Sequence, residues 1–226
     1  MVFRSPYPDI DVPAVSLTGY VLGGAAQHGD KPALIDGADG AVTTYAELTE
    51  RVRAAAGGLA AAGVGPGDAV GLLAPNTPAW AIAYHAVIAL GAIVTPINPV
   101  LTHDEIASQL STAGAKAVIA AEPLRAAVAD SGLEQFALES LPGGADPGTP
   151  AVDPAADLVA LPFSSGTTGL SKGVMLTHRN LVANIVQTAG VQGLDEDDVM
   201  VGCLPFFHIY GMTVIMNLGS APASRS

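Results

Sequence analysis

The chain has 226 residues, half of them hydrophobic and 13% charged, with a net charge of −12. This composition allows a substantial core, and its acidity excludes nucleic acid and anionic membrane surfaces as partners, because both need a basic face. The single cysteine, Cys203, predicts a reducing, cytoplasmic location. No apolar signal segment opens the chain, and prolines interrupt the charge-free run 69–103, so neither secretion nor a membrane span is predicted.

Hydrophobic periodicity and turn residues predict an alternation of strands and helices. An extended arm at 1–15 precedes a short helix at 17–27 and a hairpin formed by 33–36 and 41–44. Two capping-box patterns, Thr44 with Glu47 and Thr102 with Glu105, mark helix starts, and Thr77 marks another. The predicted strands that follow are 69–74, 92–97 and 115–121, and the predicted helices are 45–62, 78–90, 103–113 and 123–130.

Continuous apolar strands between helices predict an α/β fold, with a mostly parallel sheet covered on both faces and right-handed crossovers. The Pro- and Gly-rich stretch 141–156 is predicted to be a surface loop within one domain. The segment around Cys203, VGCLPF, is predicted to be a buried strand. The acids Asp195 to Asp198 are predicted to form a solvated turn and no metal site, because they lack the spacing and glycine of an EF-hand loop.

The stretch PFSSGTTGLSKGV, residues 162–174, combines glycines, hydroxyl side chains and one lysine between two apolar runs. Glycine lets a backbone approach an anion closely, and N–H groups with hydroxyls form a donor nest for phosphate oxygens. A Walker A loop is excluded, because Lys172 follows Ser171 and a helix is predicted only after the cap at Thr177. The absence of acids between Asp157 and Asp195 favours a phosphate site. The alternative is a Ser/Gly-rich hairpin turn without a ligand.

These residues resemble the signature of the adenylate-forming superfamily of acyl- and aryl-CoA ligases, [YF]-[ST]-S-G-[ST]-T-G-x-P-K-G, with Ser171 at the usual proline. A second motif of that family, LPFFHIYG, follows at 204–211, and its HIY triplet is most similar to 4-coumarate–CoA ligases. The resemblance implies the layered, mostly parallel α/β architecture of the N-terminal domain of these enzymes, truncated here. It implies a partial AMP-binding domain at 1–219 and an aberrant or disordered tail at 220–226.

The resemblance further implies ATP-dependent activation of a small carboxylic acid, an aryl or fatty acid, to an acyl adenylate and then to acyl-CoA. ATP, Mg²⁺ and CoA would take part. His208 and Lys172 would be catalytic, although a core histidine is the alternative for His208. The implied phosphate-binding residues are Ser164, Ser165, Gly166, Thr167, Thr168, Gly169, Lys172 and Gly173, and the implied acid-binding residues are His208, Ile209, Tyr210, Gly211 and Val214. The other histidines are expected to be structural or exposed.

Later motifs of the family, which hold magnesium and ribose and supply a C-terminal lysine, are not found in these residues. We therefore expect no thioester formation by this chain alone. The family pattern would continue beyond Gly219 into a further strand, but SAPASRS follows, and we hypothesise a frameshift or a gene fragment. Two other functions stay open: a non-catalytic nucleotide- or phosphate-binding fragment, and an adenylation domain that loads a carrier protein.

Overall fold

The computed structural model describes residues 5–7, 9–165, 171–195 and 197–221. The helices are α1 (Leu17–Leu22), α2 (Tyr45–Ala61), α3 (Pro78–Ala89), α4 (His103–Thr112), α5 (His178–Gln192) and α6 (Leu218–Ser220). The strands are β1 (Pro32–Ile35), β2 (Val42–Thr44), β3 (Ala69–Leu73), β4 (Ile93–Ile97), β5 (Ala115–Ala120), β6 (Glu134–Ala137), β7 (Leu158–Ala160), β8 (Phe163–Ser165), β9 (Ser171–Gly173) and β10 (Leu176–Thr177). Short 3₁₀ helices lie at Ala25–Gln27, Glu122–Val128 and Leu138–Ser140, and a π-helix at Gly211–Asn217 leads into α6.

Six strands form the central sheet, in the order β10-β7-β4-β3-β5-β6. Neighbouring strands are parallel except β10, which returns antiparallel to β7. Two separate antiparallel hairpins, β1 with β2 and β8 with β9, lie outside this sheet. The prediction of a mostly parallel α/β fold is therefore confirmed.

Both faces of the central sheet are covered by apolar packing. Successive residues of a strand point to opposite faces, so one strand contributes to both cores. In β3, Val70 and Leu72 contact the larger core, whereas Leu73 packs in a smaller core with Ile106 and Leu110 of α4. Every residue of β3 is buried as a result. A continuous apolar run is what such a two-sided strand requires.

Local signals set the helix starts as the sequence predicts. The capping boxes at Thr44 and Thr102 are both formed, and Thr77 accepts from the Trp80 N–H at the start of α3. A further capping box, Thr177 with Asn180, opens α5. These side chains satisfy N–H groups that a helix leaves unpaired in its first turn.

The structure departs from the sequence predictions in four places. The helix predicted over 17–27 is divided into α1, which ends at Leu22, and a 3₁₀ helix at Ala25–Gln27. The segment predicted as helix 123–130 is a 3₁₀ helix, whose end is met by the Gln135 amide donating to the Val128 carbonyl at 2.8 Å. Strand β6 was not predicted, because only Phe136 in it is buried and its apolar signal is weak. The prediction of a buried strand around Cys203 is wrong, since Cys203 is exposed.

The exposed Cys203 segment has a physical explanation. Val199 and Val201 in the same segment are 78% and 74% exposed, and no strand pairs with it in the described part of the chain. An apolar sequence without a neighbouring strand does not form sheet.

None of the described helices combines the length and the apolar composition that a membrane span requires.

Candidate functional site

The first motif lies on the β8–β9 hairpin. Ser164 pairs with Lys172 and Ser165 with Ser171 across the two strands. Gly166, Thr167, Thr168 and Gly169, which follow β8 in the sequence, lie outside the described residues. Lys172 is in a strand and α5 begins only at His178, so no helix begins at the lysine and a P-loop is excluded, as the sequence predicts.

A chain of hydrogen bonds fixes the base of this hairpin. The Leu161 N–H donates to the Val94 carbonyl at 2.8 Å, and the Leu161 carbonyl accepts from Thr95 Oγ1 at 3.0 Å. Thr95 Oγ1 in turn accepts from Gln109 Nε2 at 3.1 Å, and both side chains are buried. The hairpin is thereby held where β7 ends, at the carboxyl edge of the parallel strands, which is the edge that binds ligands in open α/β sheets.

The hairpin presents its polar groups to solvent. Ser171, Lys172 and Gly173 are all exposed. Among the described residues, no carboxylate lies within ion-pair distance of the Lys172 ammonium. Because residues 158–194 contain no acid, this positive charge faces no competing carboxylate from its own segment.

The second motif leads into the π-helix. Phe206 packs edge-on against Trp80, with ring centroids 5.6 Å apart. Gly211 is buried, and a Cβ there would lie 2.0 Å from the Pro205 carbonyl oxygen, so only glycine fits. His208 is exposed, and its Nδ1 accepts a 3.3 Å hydrogen bond from the Tyr210 N–H. The alternative of a core histidine at 208 is therefore wrong.

A cleft of about 520 Å³ lies between α5 and the π-helix. Its volume is in the range of small-molecule sites. Its lining residues are Leu176, Asn180, Leu181, Asn184, Thr188, Gln192, Ile209, Tyr210, Thr213 and Val214. None of these side chains is charged, so the cleft suits the uncharged body of a ligand.

The cleft brings together some of the predicted acid-binding residues. Ile209, Tyr210 and Val214 line it, whereas Gly211 packs against the backbone of its own segment. His208 directly precedes these lining residues and is exposed. Sequence reasoning missed the polar wall from α5, although its residues recur every fourth position and so share one helix face: Asn180, Asn184, Thr188 and Gln192.

Two other histidines connect α1 to the core. His178 Nδ1 accepts from the Leu17 N–H at 3.0 Å, and His85 Nδ1 lies 3.2 Å from Thr18 Oγ1. Burial lowers the pKa of His85 to about 3. Burial also lowers the pKa of His178, although the Asp157 carboxylate partly opposes this shift. Within the described ranges, no three His, Cys, Asp or Glu side chains form a group that could hold a metal ion.

A known family matches the part of the chain that contains both motifs. The sequence profile of the family described as AMP-binding enzyme matches residues 23–221. The chain belongs to the AMP-binding enzyme family. The resemblance to adenylate-forming CoA ligases is thereby confirmed.

Relatives and solved structures show how much of such a protein this member of the AMP-binding enzyme family spans. It is 40% identical over 238 residues to 4-coumarate–CoA ligase 5 and 38% over 244 residues to 4-coumarate–CoA ligase 3, both from Oryza sativa subsp. japonica. These alignments cover 96% and 97% of the chain but only 44% and 43% of the relatives. A long-chain-fatty-acid–CoA ligase structure from Archaeoglobus fulgidus matches with a TM-score of 0.87 and 27% identity, over 96% of this chain and 47% of that one. The chain thus spans less than half the length of these proteins.

Proposed function

We propose that this chain supplies the phosphate-binding hairpin and the acid-binding cleft of an ATP-dependent acid–thiol ligase. The carrying observation is that Leu176, which closely follows the hairpin, lines the same cleft as Ile209 and Tyr210 of the second motif. The two motifs therefore serve one site, with phosphates at the hairpin and an acid in the cleft. The substrate class is an aryl acid such as 4-coumarate, or a fatty acid.

The proposed reaction begins when a carboxylate oxygen of the acid attacks the α-phosphorus of ATP. A bond forms between them, the bond from that phosphorus to the bridging oxygen breaks, and pyrophosphate leaves. Both reactants are anionic, so positioning and positive charge must supply most of the rate. The hydroxyls and backbone of residues 164–169 with the Lys172 ammonium would hold the β- and γ-phosphates. The thiol of CoA then attacks the acyl carbon and releases AMP.

The acid would be held by the second motif. A neutral imidazole at His208 can donate a hydrogen bond to the carboxylate without trapping it as an ion pair. Ile209, Tyr210 and Val214 would contact the uncharged body of the acid. We assign no Mg²⁺ ligand among these residues; within the described part of the chain, no three His, Cys, Asp or Glu side chains form one group.

The hairpin half of the proposal is tested by titrating the chain with pyrophosphate and with ATP. Lys172→Ala should weaken binding only a few-fold, because hydroxyl and backbone donors share the phosphate load. Lys116→Ala is the matched control, since the Lys116 ammonium is paired with Asp68 at 2.8 Å on another element. Equal affinity in wild type and Lys172→Ala would contradict the hairpin site.

The acid half is tested with 4-coumarate, a fatty acid and succinate. Trp80 is the only tryptophan and touches Phe206 of the second motif, so its fluorescence reports binding. The monoacids should bind and the diacid should not, because the cleft lining is uncharged. In a complete ligase that carries these residues, His208→Ala should slow adenylation by about 10²-fold or more, and Lys172→Ala should slow it less. Negligible effects of both changes would contradict the proposal.

A further inference from the structure

We infer that Asn76 is a positioning residue, which fixes the second motif and its acid-contacting side chains relative to the parallel sheet. The consequence for acid binding rests on the proposed function, whereas the positioning itself can be tested separately. Asn76 lies in the short connection between β3 and α3, far in sequence from the motif it contacts.

The Asn76 side chain makes three hydrogen bonds to one segment. Its Nδ2 donates to the Gly202 carbonyl at 2.9 Å and to the Leu204 carbonyl at 2.7 Å. Its Oδ1 accepts from the Phe206 N–H at 2.8 Å. Both amide hydrogens and the amide oxygen are thus committed to the backbone that leads into His208.

This segment has few other connections to the fold. In the described part of the chain, its remaining backbone hydrogen bonds are local, with Cys203 N–H donating to Val201 and His208 N–H donating to Pro205. The packing of Phe206 on Trp80 is its main apolar contact. The Asn76 amide is therefore the principal polar link between the motif and the sheet.

Asn76 can act as an anchor because rigid elements flank it. β3 is buried along its length, and Thr77, the next residue, caps α3 through a hydrogen bond from the Trp80 N–H. Fixing the Phe206 N–H against this junction also fixes His208 and Ile209, which follow within three residues. A shorter side chain, or one that only donates or only accepts, cannot make these two donor bonds and one acceptor bond to residues 202–206.

The anchor is tested by amide hydrogen exchange on the full 226-residue chain. Asn76→Ala removes all three hydrogen bonds and should raise exchange about 10²-fold at the Phe206, His208 and Met212 amides, because three bonds of about 1 kcal/mol each sum to about 3 kcal/mol. The amides of β3 and β5 should keep their protection. Asn98→Ala is the matched control, because Asn98 Oδ1 accepts only from the nearby Val100 N–H.

Asn76→Asp provides a second variant that separates positioning from general destabilisation. It keeps the acceptor for Phe206 but sets a carboxylate oxygen against two carbonyls, so protection at residues 206–212 should fall at pH 7.5. The amides of β3 and β5 should again keep their protection, because the change is confined to the hydrogen bonds with residues 202–206. Unchanged protection in both variants, or equal loosening of β3 and β5, would overturn the inference.

Ligand affinities complete the experiment. Asn76→Ala should weaken 4-coumarate binding about tenfold and leave pyrophosphate affinity at the hairpin unchanged. A parallel fall of both affinities would make Asn76 merely structural and would overturn the inference. If the wild-type chain binds pyrophosphate but no acid, the proposed function fails, and the exchange data alone decide whether Asn76 positions the motif.

Discussion

The region from β3 to β5 and the region from β8 to the π-helix differ in how they are held. In the first, β3 is buried at every residue and Trp80 of α3 is fully buried. In the second, β9 is exposed at every residue, and Val199 is 78% exposed. The first region supplies most of the buried core, whereas the second region carries the candidate reactive groups and is more exposed.

Side-chain hydrogen bonds are made within the first region and from it to the second. In the first region, Gln109 is buried and donates to both Thr95 Oγ1 and the Pro96 carbonyl. Buried polar atoms without a hydrogen-bond partner occur in both regions among the described residues, such as Trp80 Nε1 and His85 Nε2 in the first and Thr213 Oγ1 in the second. The backbone at Thr213 is π-helical, a conformation that is rare and frequent at functional sites. The second region is therefore kept in place from outside, by side chains such as Asn76 and Thr95.

The largest expected effect is on the core of the first region. Trp80 is fully buried, stacks on Tyr84 with centroids 5.4 Å apart and also supports Phe206. Trp80→Ala should lower the free energy of unfolding by about 3–5 kcal/mol. Urea unfolding followed by circular dichroism measures it, because no other tryptophan is present. Val100→Ala, at an 82% exposed position, should cost less than about 0.5 kcal/mol. Similar costs for both would remove the basis of the comparison.

The second expected effect is a loss of stability in acid. His85 and His178 have lowered pKa values in the folded chain, so the unfolded chain binds protons more readily below the ordinary value of about 6.5. Their contribution is complete above that pH and falls as the pH drops, by up to about 1.4 kcal/mol per pH unit for each group. Urea unfolding between pH 7.5 and 5 measures this slope. His85→Phe should reduce the slope, whereas changing the exposed His103 to Ala should not; equal slopes would contradict the assignment.

The same contrast explains what could be predicted from the sequence. Signals within a few residues, such as the cap at Thr77, the capping box at Thr102 or the apolar run of β3, correctly predict the first region. The Cys203 segment is apolar as well, but a strand also needs a neighbour, which no local pattern reveals. The role of Asn76 depends on contacts to residues 202–206, so its position in the sequence gives no indication of it.

A third expected effect concerns the base of the hairpin. Thr95→Val keeps the shape of the side chain but removes the donor to the Leu161 carbonyl and the acceptor for Gln109 Nε2. Leaving these buried groups unpaired should cost about 1–3 kcal/mol and weaken pyrophosphate binding, because Leu161 at the base of the hairpin loses one of its two hydrogen bonds to β4. The isosteric control Thr149→Val, in an exposed loop, should change neither. Loss of stability with unchanged pyrophosphate affinity would show that the relay supports only the core.

The smallest expected effect on stability comes from the second region itself. Tyr210 is 49% exposed and lines the cleft, so Tyr210→Ala should cost less than about 1 kcal/mol of unfolding free energy. Its ring offers an aromatic face to the acid, and losing that contact should weaken 4-coumarate binding by about tenfold. Tyr7→Ala is a matched control, because Tyr7 is 51% exposed but lies in the N-terminal arm. Trp80→Ala and Tyr210→Ala should thus have opposite profiles, one losing stability and the other ligand affinity. If Tyr210→Ala strongly lowers the free energy of unfolding but leaves acid binding unchanged, Tyr210 contributes to stability and not to binding. The contrast between the two regions would then be wrong.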